Sequence, residues 1–82
     1  MSARWIWYDT TPGKQRAVCA LATCGLILEA RLGGRWAPFV LRDGGARSDA
    51  CTVADDLVAA RRFLAARAGV PEESVPPIPN PA

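Results

Sequence analysis

The sequence predicts a small α+β domain: an antiparallel β-meander of three or four strands with one C-terminal α-helix packed on one face. Three observations lead there. Arg4 to Asp9 is an aromatic, β-favouring run that ends in a turn cluster. Two apolar runs meet at Gly33-Gly34. Thr52 to Ala68 bears start and stop signals of a helix.

The totals set the frame. Eighty-two residues suffice for one domain, which buries only roughly 60–65% of its unfolded surface and has a thin core. Half the residues are apolar and 22% are charged, the composition of a folded chain. The longest apolar stretch, Ala17 to Leu28, falls short of the ~20 residues of a membrane helix. Met1-Ser2-Ala3-Arg4 leads straight into aromatic residues without a signal-peptide layout, so the expectation is a cytoplasmic protein that does not engage membranes.

Arg4-Trp5-Ile6-Trp7-Tyr8-Asp9 reads as the first strand, closed by Thr10-Thr11-Pro12-Gly13. Its alternation puts Trp5 and Trp7 on one face, and Ile6 and Tyr8 on the other. Lys14 to Leu32 admits two readings. As a helix, it starts at Thr11-Pro12, ends at Gly33, and has Val18, Leu21, Gly25, Leu28 and Leu32 at helical spacing. As strands, Arg16 to Thr23 pairs back on the first strand, turns at Cys24-Gly25 and continues as Leu26 to Leu32. Strands are preferred: Gly-Gly between apolar runs is a hairpin signature, and Gly25 inside a helix costs about 1 kcal/mol. Arg35 to Arg42 is the last strand. Pro38 lacks a ladder donor, which assigns that strand to a sheet edge or a bulge.

Asp43 to Asp49 reads as a loop. For the helix, Thr52 with Asp55 forms the capping pattern, while Asp55 and Asp56 oppose the dipole at one end and Arg61, Arg62 and Arg67 toward the other. Val53, Leu57, Ala60, Leu64 and Ala68 share the buried face. Gly69, Val70 and Pro71 supply the left-handed cap, the residue that packs back and the stop. The domain therefore spans residues 1–69. Residues 70–82, with their prolines, read as an extended or disordered tail. Pro76-Pro77-Ile78-Pro79 also has the spacing of a proline-rich ligand, a pattern common in any such segment.

Chemistry-bearing constellations are missing from the sequence. The chain has no histidine, and its eight acidic residues are scattered over loops, turns, a helix start and the tail. Cys19, Cys24 and Cys51 are odd in number and wrongly spaced for a zinc knuckle, and read as buried free thiols. The expectation is a non-enzyme without metal or cofactor.

That leaves binding. A single helix covers one face of a small sheet, and strands at 4–9 and 35–42 are apolar on both. One set of side chains then stays open unless the 14–32 segment or the tail folds across it. Exposed apolar area of this kind marks interfaces, and Trp and Arg are the residues most enriched at their centres. Trp5, Trp7, Arg31, Arg35, Trp36 and Val40 are the expected contact residues, for a protein partner or for a second copy in a homodimer. Small motif-poor chains of this kind are common among phage and mobile-element genes, including inhibitors of host defence complexes of the anti-CRISPR type. Nucleic acid is the alternative partner, through arginines interleaved with aromatics. Residues 1–49, however, hold seven basic and four acidic side chains, too even a balance for a phosphate-binding face.

Overall fold

In a computed structural model that describes residues 3–11, 14–42, 45 and 53–81, four strands form one antiparallel sheet in the order β1-β2-β3-β4. They are β1 (Ile6–Thr11), β2 (Lys14–Ala20), β3 (Gly25–Arg31) and β4 (Arg35–Leu41), followed by one helix, α1 (Leu57–Ala68). The α+β meander is thus realised with four strands, and 14–32 is a hairpin. Its turn is Leu21–Cys24, with the Leu21 N–H donating to the Cys24 carbonyl at 2.8 Å, so the chain turns earlier than Cys24-Gly25. Gly33 and Gly34 both adopt positive φ, 78° and 74°, in a three-residue link, and Arg31 pairs with Arg35 across it. Such values are open to glycine and strained for other residues.

β4 is an edge strand, as Pro38 requires. The Trp36 N–H and carbonyl point outward, exchanging hydrogen bonds with Ala54 at 2.8 and 2.7 Å. By the alternation of an antiparallel ladder the nitrogen of Pro38 faces the same outer edge, where no donor to β3 is lost.

This bridge also corrects the helix start. Ala54 is held in extended pairing with Trp36, and α1 begins only at Leu57. The cap is Asp56, whose carboxylate accepts from the Ala59 N–H at 2.8 Å. Asp55, expected in the first turn, lies before the helix and pairs with Arg35 at 3.5 Å. Thr52, read as the cap, lies outside the described residues, as do the Pro12-Gly13 turn and most of the 43–49 loop. The other end follows the sequence closely. Gly69 is left-handed at φ 72°, its N–H donating to the Ala66 carbonyl, and the Val70 N–H reaches the Ala65 carbonyl at 3.1 Å. These are the two bonds of a Schellman cap.

Ala60, Leu64 and Ala65 of α1 are buried against the sheet, with Leu57 and Ala68 half-buried beside them; Val53 is exposed, outside the helix. They meet Trp5, Ala17, Cys19, Leu26, Leu28 and Val40 in one core. α1 lies chiefly over β4. The β1 side of the same face is covered by the proline-rich segment, which packs against the domain. After a 3₁₀ turn at Glu72–Ser74, Val75 is 0% exposed, and Ile78 packs at the margin of the core. Arg61 donates from Nε to the Val75 carbonyl at 2.6 Å, and Glu72 lies within 3.9 Å of both Arg61 and Arg62. Residues 76–81 are extended, as the prolines dictate, but the tail beyond residue 69 completes the core.

Two stability measurements test this account. Asp56→Ala should lower unfolding free energy by about 1 kcal/mol in urea titrations while Asp56→Asn retains most of it, because asparagine caps equally well. Val75→Ala should cost about 2 kcal/mol, the loss of buried methyl groups plus a cavity, where a peripheral tail residue would cost almost nothing.

Candidate functional site

The registers sort every strand residue onto one of two faces. Trp7–Ala17–Leu28–Pro38 is one cross-strand row of the covered face, and Cys19–Leu26–Val40 is another. The tryptophans therefore lie on the same face as the helix and tail. Trp5 is buried, Val40 is 0% exposed, and Trp7 and Trp36 are half-buried. Trp7 and Trp36 meet edge to face, with ring centroids 5.2 Å apart at 62°. Their cross-strand neighbours Ala17 and Ala30 are small and leave room for this contact above the sheet. Of the expected contact residues, only Arg31 and Arg35 lie on the other face, opposite each other and exposed.

That other face is graded from apolar to basic. Ala20–Gly25–Leu41 forms one row, and Ile6–Val18–Ile27–Phe39 the next. Ile6 is 53% exposed and Leu41 38%, Val18 and Ile27 are half-buried, and Phe39 is buried. A shallow hollow of about 580 Å³ opens beside this strip, lined by Ala3, Arg4, Ile6, Val18, Ala20 and neighbours. The third row is Tyr8–Arg16–Glu29–Ala37, with Tyr8 40% exposed. The last contains Arg31 and Arg35, with Lys14 on the same face.

Glu29 organises the polar end. Its carboxylate accepts from Arg16 Nη2 at 2.7 Å and lies 3.1 Å from Arg31 Nη1. Arg16 also donates from Nη1 to the Tyr8 hydroxyl at 3.5 Å. The Tyr8 oxygen and the Glu29 carboxylate hold the guanidinium pKa of Arg16 above its ordinary value, against the opposing effect of burial, so this charge is permanent. The result is a braced patch next to an apolar strip: Arg16 and Arg31 share the Glu29 carboxylate, Arg35 pairs with Asp55, and Lys14 lies on the same face. A 280 Å³ hollow lined by Thr10, Thr11, Lys14, Arg16 and Arg31 among others lies at this end.

The alternation separating Ile6 and Tyr8 from the tryptophans is legible in the sequence, but the structure covers the tryptophan set, against the expectation that it stays open. The missed signal is in β2 and β3. Lys14, Arg16, Glu29 and Arg31 share a face with Ile6, Tyr8, Val18 and Ile27, whereas Ala17, Cys19, Leu26 and Leu28 bear no charge.

Cys19 and Cys24 are buried free thiols; Cys51 lies outside the described residues. Among the described residues no three of His, Cys, Asp and Glu cluster as metal ligands, and no helix is long and apolar enough to cross a membrane. No family model, curated protein or solved structure matches the chain.

Burial pushes the Cys19 thiol pKa up, which lowers its thiolate fraction at neutral pH and with it its reactivity. In a Cys24→Ser/Cys51→Ser background, Cys19 should therefore react with an aromatic disulfide reagent only on the timescale of unfolding, and immediately in denaturant. Rapid reaction in native buffer would mean that this part of the core opens.

Proposed function

We propose that this protein is a non-catalytic protein-binding module whose contact surface is the open face of the sheet. One observation supports the reading above others: the strip Ile6–Val18–Ile27, bordered by Tyr8 and Leu41, lies on the face turned away from α1 and the tail. Apolar side chains held flat on a rigid sheet lose little entropy on docking, and their burial supplies affinity in rough proportion to area. The adjoining cations favour a partner with an apolar strip flanked by carboxylates, since charge complementarity at a rim sets register and speeds encounter. An inhibitor acting by occlusion, of the anti-CRISPR type suggested by chain size, would use such a face without any catalytic group.

The same details weigh against nucleic acid. The three tryptophans that could stack bases are on the covered face. Arg16 and Arg31 are engaged by Glu29, and Arg35 by Asp55, so phosphate contacts would have to displace existing ion pairs.

The test is capture of interaction partners by the tagged full-length chain, compared with an Ile6→Asp/Ile27→Asp variant shown to be folded by circular dichroism. A stoichiometric partner should be lost by that variant and retained by Val58→Asp, which alters the exposed side of α1. Capture that survives the double substitution would refute the site. Light scattering reads self-association through the same face. Binding to single-stranded DNA or RNA should be weak, and a steep fall of strong binding with salt would favour nucleic acid instead.

A further inference from the structure

Two indole N–H groups of β1 and its approach hold the C-terminal segment. Trp5 Nε1 donates to the Pro76 carbonyl at 2.8 Å, and Trp7 Nε1 to the Pro79 carbonyl at 2.9 Å. We infer that the Trp5–Trp7 shelf is a recognition site for extended proline-rich segments, filled by the chain's own residues 76–79, and that a proline-rich segment of another protein can take their place.

The match is one of periods. Trp5 and Trp7 are two residues apart in extended chain, so their side chains leave on the same side. Pro76 and Pro79 are three residues apart, one turn of a polyproline II helix, so their carbonyls also point one way. The repeats are about 6.7 and 9.3 Å, and the reach of two indole arms spans the difference. The ligand is pre-organised by its covalent structure: every residue from Val75 to Pro81 is a proline or precedes one, which confines each to extended backbone. Prolines leave their carbonyls without competing N–H donors beside them, and an indole N–H is a donor only. Aromatic shelves that accept proline-rich chains use this same complementarity.

The segment divides at Val75. Up to that residue it is part of the core, with Val75 buried and its carbonyl held by Arg61. Beyond it, Pro77, Pro79 and Asn80 are exposed, and Pro76 and Ile78 only half-buried. Trp7 is half-exposed beneath the segment, and its ring also packs edge to face on Trp36, a contact the segment does not supply. Displacing residues 76–79 therefore gives up two hydrogen bonds and the share of Trp5 and Ile78 burial that the segment provides, a loss that an incoming proline-rich segment of like shape restores. The tethered segment competes at an effective concentration in the millimolar range, so an outside ligand is admitted when the tail is weakened or the ligand is more favourable.

The experiment uses the full chain with Pro76→Gly, Pro77→Gly and Pro79→Gly, which keeps all carbonyls and removes pre-organisation. The ¹⁵N-labelled protein is titrated with an unlabelled synthetic peptide of residues 75–81. The Trp5 and Trp7 indole resonances should move in the triple variant and return toward wild-type positions as peptide is added. The apparent Kd should be at least about tenfold below that for wild type, where the tail competes. A folded variant whose two indoles ignore millimolar peptide overturns the proposal, as does an unchanged titration in a Trp7→Phe derivative. Should the triple variant unfold, saturation transfer from wild-type protein to excess peptide replaces the titration. Transfer to the proline peptide and not to an alanine-substituted control supports the site, and equal or no transfer overturns it. Concentration-dependent dimers by sedimentation that vanish on the glycine substitutions would assign the groove to exchange of tails between two copies, which also overturns it.

Discussion

A twelve-residue helix is about 18 Å long and about 10 Å across, whereas four strands spaced by about 4.8 Å present a face nearly twice that width. Coverage is therefore the constraint on which this fold depends. α1 shelters the β4 side and cannot reach β1. The remaining apolar surface is closed by two other devices: the Trp7–Trp36 pair leaning across small alanines, and the proline-rich segment laid over Trp5 and Trp7. Only one face is closed in this way. Among the described residues α1 is the one α-helix, and the exposed side chains of the other face grade from isoleucine and leucine to arginine.

Much of this was legible in the residues because the signals are local. Gly33-Gly34 demanded a reversal, Pro38 an edge, and Gly69-Val70-Pro71 a helix end. The helix start was not legible, because Thr52, Asp55 and Asp56 all have capping chemistry. The choice fell to a non-local requirement: the exposed edge of β4 takes Ala54 as a partner, which draws the chain out of helix until Asp56. The burial of Trp5, Trp7, Trp36 and Val40 was not legible for a related reason. Alternation sorts residues into two sets but is silent on which set lies inside, and large aromatic side chains suggested a contact surface when their role was to bridge what the helix could not cover. Charges in the middle strands were the better guide, since Arg16 and Glu29 could not be buried without strong pairing. The packing of the tail was not legible for a different reason. Its composition permits disorder, and its fastening relies on indoles more than seventy positions away, beyond any local pattern.

The polar end of the open face shows how a small sheet tolerates like charges. Arg31 and Arg35 are direct cross-strand neighbours, an arrangement that is ordinarily destabilising. Glu29 on one side and Asp55 on the other divide the pair between two carboxylates. Asp55 can do so because the Trp36–Ala54 bridge brings it alongside β4. The element that ends the extended chain before α1 thus also sets the electrostatics of the face.

The two indole-to-proline bonds join residues 71 and 72 positions apart, near the full separation that this chain allows. Closing so large a loop is entropically expensive, and contacts of this kind contribute little until the hairpins and α1 have already formed. The tail is then a late latch. Strengthening it would leave the rate of folding almost unchanged, and whatever stability it adds would be read in a slower rate of unfolding.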